Sequence, residues 1–282
     1  MDVPTRTELV EIIRQAVTQS GVYKAFRNLP HVNIKADRTP VTEIDHAIQA
    51  EVFKLLRNRG LHLIGEEDGS ELIKGAKFAV AIDPLDGTGA FIRGIATSAC
   101  VVTVLENRGG LWFPILAVIM ELTQDGWTWS AEEAGQTYVR NQQMKTEQVC
   151  LIQRPSAPYQ VTISTWPGVS FGLDKVVGKL DYAEFQNQAF GSIALGAGLI
   201  ACGGTHATVF AGRSALETVG MTLIVRGAGG VATDIYANEL QGFGLEVDEK
   251  TGKPDFILPN GAIMAANLSI AQKLSSKVLS MN

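Results

Sequence analysis

The 282-residue chain is poor in the residues that build several kinds of protein. Its three cysteines, Cys100, Cys150 and Cys202, are widely spaced and form no CxxC pair. That excludes a disulfide scaffold and a thiolate zinc site, and a reducing compartment is expected. The four histidines, at 31, 46, 62 and 206, show no ligand spacing. Lys and Arg total 24 against 29 Asp and Glu, a formal net charge of −5. A chain of that sign does not have nucleic acid or an anionic membrane as its main partner. The longest apolar stretches, such as 111–120, are about half the roughly 20 residues of a membrane span. The first residues, MDVPTRTELV, show no basic region followed by an apolar run, so no signal peptide is expected and a cytoplasmic location is. The Asn267-Leu268-Ser269 sequon then carries no role.

What is present is ordinary for a soluble, core-forming α/β or α+β protein: 46% apolar residues, 19% charged, and 29 glycines. The length allows one large or two modest domains. Leu9, Ile12, Ile13, Ala16 and Val17 recur at helical spacing, which predicts an amphipathic helix starting in residues 5–28 and ended by Pro30. Thr42 and Asp45 form a capping pair for a second helix reaching about Arg59, closed by Gly60. Short strands are expected at 61–64 and 78–82, then at 99–105, 115–122 and 126–131. Residues 142–159 are polar and hold Pro155 and Pro158, a boundary signal. Beyond it the pattern predicts strands at 161–165, 207–210 and 262–266. Helices are expected at 192–203, at 215–228 and at the C-terminus.

The stretch AIDPLDGTGAF (81–91) carries the chemistry. A strand delivers Asp83 and Asp86 to a rim. Pro84 fixes the backbone, and Gly87 allows a tight turn and a close approach to a ligand. Outward N–H groups at Gly87, Thr88 and Gly89 suit an oxyanion. Neighbouring carboxylates repel unless a cation lies between them, and oxygen-only ligands favour Mg²⁺. A solvated DPxDG turn is the competing reading. A second acidic loop, Gly65-Glu66-Glu67-Asp68, also follows an apolar strand; alone it is a charged turn, beside the first it makes a metal cage. Gly87-x-Gly89 fails as a dinucleotide fingerprint because position 92 is Ile.

GEED followed by IDPLDGT resembles the inositol monophosphatase family of Mg²⁺-dependent, lithium-sensitive phosphomonoesterases. Three further stretches match in order: IKADRTPVTEID (34–45), GSIALGAGLIACGG (191–204) and ALETVGMTLIVRGAGGVATD (215–234). The resemblance implies a layered αβαβα sandwich, here with an N-terminal α+β half (1–150) and a C-terminal α/β half (151–282) closing the site. It implies two or three Mg²⁺ per site, with Mn²⁺ as an alternative and Ca²⁺ and Li⁺ inhibitory. Glu66, Asp83 and the Leu85 carbonyl would hold the first metal, and Asp83 would bridge to a second shared with Asp86. The backbone of Asp86, Gly87 and Thr88 would hold phosphate. The Thr88 hydroxyl, oriented by Asp45, would help deprotonate the attacking water. Glu67 would support the site from behind, and Lys35 would offset its negative charge or remain solvated. In such chemistry metals activate water and stabilise the leaving alkoxide. A homodimer is implied as well.

The chain departs from the pattern in two places. Where the family has an Asp in W-D-x-A-A-G, this chain reads LETVGM, which puts Glu217 in that position. Glu remains a hard oxygen ligand one methylene longer; the alternative is a helix-terminal charge favoured by the macrodipole. Where inositol-specific members carry an acidic sugar-binding group, this chain has Phe210, which cannot accept hydrogen bonds from a polyol unless it simply packs inside. Gly89-Ala90 leaves room near the phosphate, and Arg213 could pair with a second anion. The expected substrate is a small phosphorylated metabolite. An inositol phosphate, 3'-phosphoadenosine-5'-phosphate, histidinol phosphate and a sugar bisphosphate all stay open. A catalytically degenerate member that binds a ligand or partner is the second hypothesis. The tryptophans at 112, 127, 129 and 166 read as core or interface, and His206 as structural or exposed.

Overall fold

The computed structural model of the chain describes residues 2–25, 31–35, 40–141, 143–144, 146–164, 173–178, 180–210, 215–249, 251–258 and 260–280. Helix α1 (Arg6–Gln19) starts where Thr5 accepts the Glu8 amide and Glu8 accepts the Thr5 amide. This reciprocal cap satisfies two donors that have no intrahelical acceptor. The expected single helix is interrupted at Gly21, whose φ of 77° stops it, and a short α2 (Val22–Ala25) follows. Residues 26–30, with Pro30, lie outside the described residues. β1 (Val32–Ile34) pairs with β2 (Pro40–Thr42). Helix α3 (Glu43–Leu56) uses the Thr42–Asp45 box, passes into a 3-10 turn at Arg57–Arg59, and ends at Gly60 with φ 73°.

The first half builds a seven-stranded sheet in the order β3 (His62–Gly65), β4 (Phe78–Asp86), β5 (Ala99–Arg108), β6 (Leu111–Glu121), β7 (Thr128–Glu132), β8 (Thr137–Arg140) and β9 (Gln148–Cys150). Only β3 and β4 run parallel; the other pairs are antiparallel. A short helical turn, α4 (Thr88–Phe91), follows β4. Strand β9 falls inside the stretch read as a polar boundary. It has three residues, two of them exposed, so no apolar pattern marks it. The second half builds a five-stranded sheet from β10 (Tyr159–Ser164), β11 (Phe185–Gln188), β12 (Ala207–Phe210), β13 (Val231–Thr233) and β16 (Ala262–Ala265), in the order β11-β10-β12-β16-β13. β14 (Gly244–Val247) and β15 (Pro254–Ile257) form a separate antiparallel hairpin. The remaining helices are α5 (Leu173–Val177), α6 (Ile193–Ala201), α7 (Leu216–Gly227) and α8 (Leu268–Leu279).

Strand alternation sorts these elements into layers. Val80, Ile82, Val102, Val104 and Val118 pack with Leu9, Ile13, Ile48 and Val52 of α1 and α3. Ala79, Ala81, Val101, Ala117 and Ile119 face the other way, onto α6 and α7. Those two helices also meet Phe210, Ala262 and Met264 of the five-stranded sheet. Val161, Ile163, Val209 and Ile263, on its far face, pack with α5 and α8. The result is the expected αβαβα sandwich. Helices α6 and α7 lie between two sheets, which is why their sequences are apolar nearly all round. Their close approach rests on small residues: a Cβ on Gly220 would meet Thr103 Oγ1 at 2.4 Å, and one on Gly198 would meet the Trp129 ring at 2.6 Å. Each buried Leu, Ile or Val in these layers contributes about 1.5–3 kcal/mol.

Candidate active site

The parallel pairing of β3 with β4 sets Gly65 beside Ile82, so both acidic loops leave the sheet at the same end. The Glu66 amide still donates to the Ile82 carbonyl at 3.0 Å. Buried Gln49 of α3 then clamps the loop. Its Oε1 accepts the Glu67 amide at 3.0 Å, while its Nε2 donates to the carbonyls of Glu67 (3.1 Å) and Asp68 (2.8 Å). That packing requires glycine at 65, since a Cβ there would fall 2.1 Å from Gln49 Oε1. Lys35 Nζ bridges Glu66 (2.9 Å) and Glu67 (2.6 Å), and its pKa is raised because those charges outweigh its burial.

At the end of β4 the register slips between Asp83 and Asp86. Asp83 Oδ1 accepts the Leu85 amide at 3.0 Å, which turns the chain back on itself. Gly87 follows with φ 90°, and a Cβ there would meet the Thr97 carbonyl at 2.9 Å, so only glycine fits on both counts. The Thr88 hydroxyl lies 2.9 Å from the Leu85 carbonyl and 3.2 Å from Asp45 Oδ1. Asp45 is fully buried, and its other oxygen accepts the amide and hydroxyl of Thr42 at 2.8 and 2.6 Å. The residue that caps α3 is therefore the same one that orients Thr88.

Residues from later in the chain also reach the cavity. At the start of α6 the Ser192 hydroxyl and the Ala194 amide donate to Asp86 Oδ2 at 2.5 and 2.7 Å. Glu217 sits in the first turn of α7, whose cap residue Ala215 offers no side-chain acceptor. The β14–β15 hairpin brings Lys253 and Asp255, and Lys253 Nζ donates to the Glu66 carbonyl. Glu66, Asp83, Asp86, Glu217, Lys253 and Asp255 line one cavity of about 660 Å³ together with Leu85, Gly87, Gly89, Thr162, Ser164 and Phe190. Another cavity, of about 420 Å³, lies around Arg108, Glu133 and Arg226, away from these carboxylates.

The electrostatics are those of crowded acids. Burial, then the charges of Glu66, Asp86 and Glu217, drive the Asp83 pKa well up. Burial, then the charge of Asp86, does the same to Glu217. Asp86 is pushed up to about 6 by burial, opposed by its hydrogen bonds from Ser192 and Ala194. Asp45 is likewise pushed up to about 6 by burial, against its bonds from Thr42. Glu66 and Glu67 are the two acids compensated by Lys35.

The expected residues Lys35, Glu66, Asp83, Leu85, Asp86, Gly87, Thr88 and Glu217 all line this cavity, with Asp45 and Glu67 directly behind them. Phe210 is a correction. It is 1% exposed in the core between α6, α7 and the five-stranded sheet, and is not a substrate contact. All four side chains of β12 are buried, and Phe210 packs among α6, α7 and the sheet and does not line the cavity. Among the described residues the aromatic ring lining the cavity is Phe190, just before α6. Arg213 and Trp166 lie outside the described residues. Trp112 and Trp129 are core, Trp127 is exposed, and His206 is structural, accepting the Gln160 amide at 2.8 Å. Gln49, Ser192, Lys253 and Asp255 were not anticipated. For Gln49 a signal existed: it lies four residues after Asp45, one helical turn along the same face.

The donor set suits a divalent cation by its chemistry. It is all hard oxygen, and its buried carboxylates hold raised pKa values for want of opposite charge. Among the described residues no three Asp, Glu, His or Cys side chains converge tightly enough to chelate an ion as they stand. The carboxylates are spread along the cavity wall, consistent with ions that complete their shells with water and substrate oxygens.

The chain is 27% identical over 213 residues to a histidinol-phosphatase of Mycobacterium tuberculosis, covering 72% of this chain and 77% of that one. It is 24% identical over 234 residues to the fructose-1,6-bisphosphatase/inositol-1-monophosphatase of Thermococcus kodakarensis, covering 82% of each. In fold it is similar to the extragenic suppressor protein suhB of Bartonella henselae, with a TM-score of 0.72 at 20% identity, covering 96% of this chain and 98% of that one. The Thermotoga maritima IMPase superposes with a TM-score of 0.71 at 18% identity, covering 98% of this chain and all of that one (100%). The inositol monophosphatase family model matches residues 3–280, and the chain belongs to that family.

Proposed function

We propose that the chain hydrolyses a phosphomonoester on a small metabolite, with Mg²⁺ held by Glu66, Asp83, Asp86 and Glu217. The observation that carries this reading is that those four carboxylates and Thr88 line one cavity, with Asp45 behind Thr88 at hydrogen-bond distance. The bound cations supply charge neutralisation for the phosphoryl oxygens and lower the pKa of water. The rest falls to the chain's own groups. Thr88 donates its hydroxyl proton to Asp45 or to the Leu85 carbonyl, which leaves an oxygen lone pair for the attacking water. Asp45, fixed by Thr42, keeps that hydroxyl in one orientation. The backbone at Gly87 and Thr88 lines the cavity where a helical turn begins, and N–H groups of a first turn have no intrahelical acceptor. They are the phosphate's donors in this reading. Lys35 holds Glu66 and Glu67 against their mutual repulsion.

Two of the similar proteins are named histidinol-phosphatases and a third acts by name on fructose 1,6-bisphosphate and inositol 1-phosphate. The substrate proposed here is of that class, a phosphorylated amino alcohol or polyol. Phe210 is buried and neither blocks a polyol nor supplies the acidic group that inositol-specific members carry at this position, so the case against an inositol phosphate rests on that missing group alone. The reading includes a catalytic metal cluster carried largely by residues 1–150, a cap from 151–282, a homodimer and a cytoplasmic location. Among the described residues no helix is long and apolar enough to cross a membrane. A phosphate-release screen over histidinol phosphate, inositol monophosphates, 3'-phosphoadenosine-5'-phosphate and sugar bisphosphates, with Mg²⁺ and with chelator, tests it. Release from at least one that stops with chelator is expected. No release from any would favour the ligand-binding alternative.

A further inference from the structure

We propose that Cys150 and Cys202 form a dithiol modification site that a hydroperoxide closes to an intramolecular disulfide. Cys150 ends the edge strand β9, and Cys202 is the first residue beyond α6. They are 52 residues apart in sequence, yet their sulfurs lie 2.8 Å apart. Both are free thiols. An S–S bond is about 2.05 Å long, so closure asks for less than about 1 Å of movement.

The surroundings divide the two roles. Cys202 is exposed, and Cys150 is buried beneath it. The Trp129 indole N–H donates to the Cys202 sulfur at 3.2 Å, a contact that favours the thiolate. The Cys150 thiol, followed by that indole, pushes the Cys202 pKa down to about 7, while Cys150 is raised. An accessible, acidic thiol beside a buried resolving thiol is the arrangement that peroxide-sensing cysteines use. Cys100, the third cysteine, is buried in β5 opposite Met120, so the partner choice is fixed by the fold.

The chemistry balances with the peroxide as the named oxidant. The Cys202 thiolate attacks one peroxide oxygen, the O–O bond breaks, and a sulfenic acid and one water (or alcohol) form. The Cys150 sulfur then attacks the Cys202 sulfur, the S–O bond breaks, and a second water leaves. Two thiols lose two electrons and two protons, and the peroxide is reduced. The bond ties the edge of the seven-stranded sheet to the C-terminal end of α6. The N-terminal end of the same helix holds Asp86 through Ser192 and Ala194, so the modification grips the element that positions a cavity carboxylate.

The test uses the full chain, reduced and freed of reductant, treated with a small molar excess of hydrogen peroxide. Titratable thiols after denaturation should fall from three to one, two being consumed by the bond. Peptide mass spectrometry should find the 150–202 link within one chain, and dithiothreitol should restore all three. Cys150→Ser should form no intrachain disulfide under the same treatment. The proposal is overturned by three persisting thiols, by a link to Cys100 or between chains, or by Cys202 over-oxidised while Cys150 stays reduced. Thiol counting needs no substrate, so the outcome is independent of the catalytic reading.

Discussion

The Ser192 hydroxyl donates to the Asp86 carboxylate at 2.5 Å, across 106 residues of sequence. The same hydroxyl accepts the Leu195 amide at 3.1 Å and so caps α6. One side chain therefore starts a central helix and fixes an acid of the cavity. Ser192→Ala should remove both effects. The lost cap costs about 1 kcal/mol of stability. Asp86 keeps only its backbone donors, so its pKa should rise and its grip on a cation weaken by roughly tenfold, about 1.4 kcal/mol. A Mg²⁺ titration followed by thermal shift reads both. A lower melting temperature with unchanged Mg²⁺ dependence would restrict Ser192 to capping.

Gln49→Leu should disturb the acidic loop without touching the cavity directly. It leaves the Glu67 amide and the carbonyls of Glu67 and Asp68 without their buried partner. A buried group left unsatisfied costs about 1–3 kcal/mol. The melting temperature should drop, and Mg²⁺-dependent phosphate release should fall more than tenfold as Glu66 and Glu67 lose their fixed backbone. Full activity in a destabilised variant would contradict a positioning role.

Metal-free stability should respond to pH in an unusual direction. Asp45 and Asp86 have pKa values pushed up to about 6 by burial, against about 3.9 in an unfolded chain. Between those values the folded state binds more protons than the unfolded state, so stability falls as pH rises through that window. Asp83 and Glu217, also raised, act in the same sense. Glu133 and Glu147, lowered chiefly by their bonds from Arg108 and Arg6, oppose this below the usual Glu range of about 4.3, and His62 and His206, lowered by burial, oppose it as pH rises toward the usual His value of about 6.5, two half-buried groups against four buried acids. Chelator-treated protein should therefore melt higher at pH 5 than at pH 7. Saturating Mg²⁺ should reverse the order, because cation binding requires the ionised acids.

Glu217→Gln removes one charge at nearly constant size. If Glu217 ligates a cation, the Mg²⁺ needed for half-maximal rate should rise more than tenfold, about 1.4 kcal/mol. If it is only a first-turn charge on α7, the change costs a few tenths to 1 kcal/mol, seen in melting temperature alone. Superimposable Mg²⁺ curves would settle on the second role.

Much of this site was legible because its signals are local. Asp83, Pro84, Asp86, Gly87 and Thr88 fall within six residues, and both acidic loops follow short apolar strands. The Thr42–Asp45 cap could be read from spacing, and it turned out to carry the Thr88 contact as well. Glu217 could be placed only by counting along matched stretches. What stayed hidden depends on long-range closure. Lys253 reaches the Glu66 carbonyl through a hairpin whose strands have mixed, half-exposed patterns that announce no strand. Cys150 and Cys202 meet because an edge strand and a helix end converge in space. Phe210 was misplaced because side-chain direction on β12 depends on which sheet face α6 covers, and no single-strand pattern encodes that when every position is buried.

The most direct test of the phosphatase account is Mg²⁺-dependent phosphate release by Asp83→Asn beside the wild type. Asp83 is buried between the charges of Glu66, Asp86 and Glu217, and its amide replacement cannot balance a cation. The predicted result is a loss of at least about 1,000-fold, about 4 kcal/mol of transition-state stabilisation. The metal-free melting temperature should be unchanged or raised, because repulsion among the acids is relieved. Wild-type rates in Asp83→Asn, or release that proceeds equally with chelator, would contradict it.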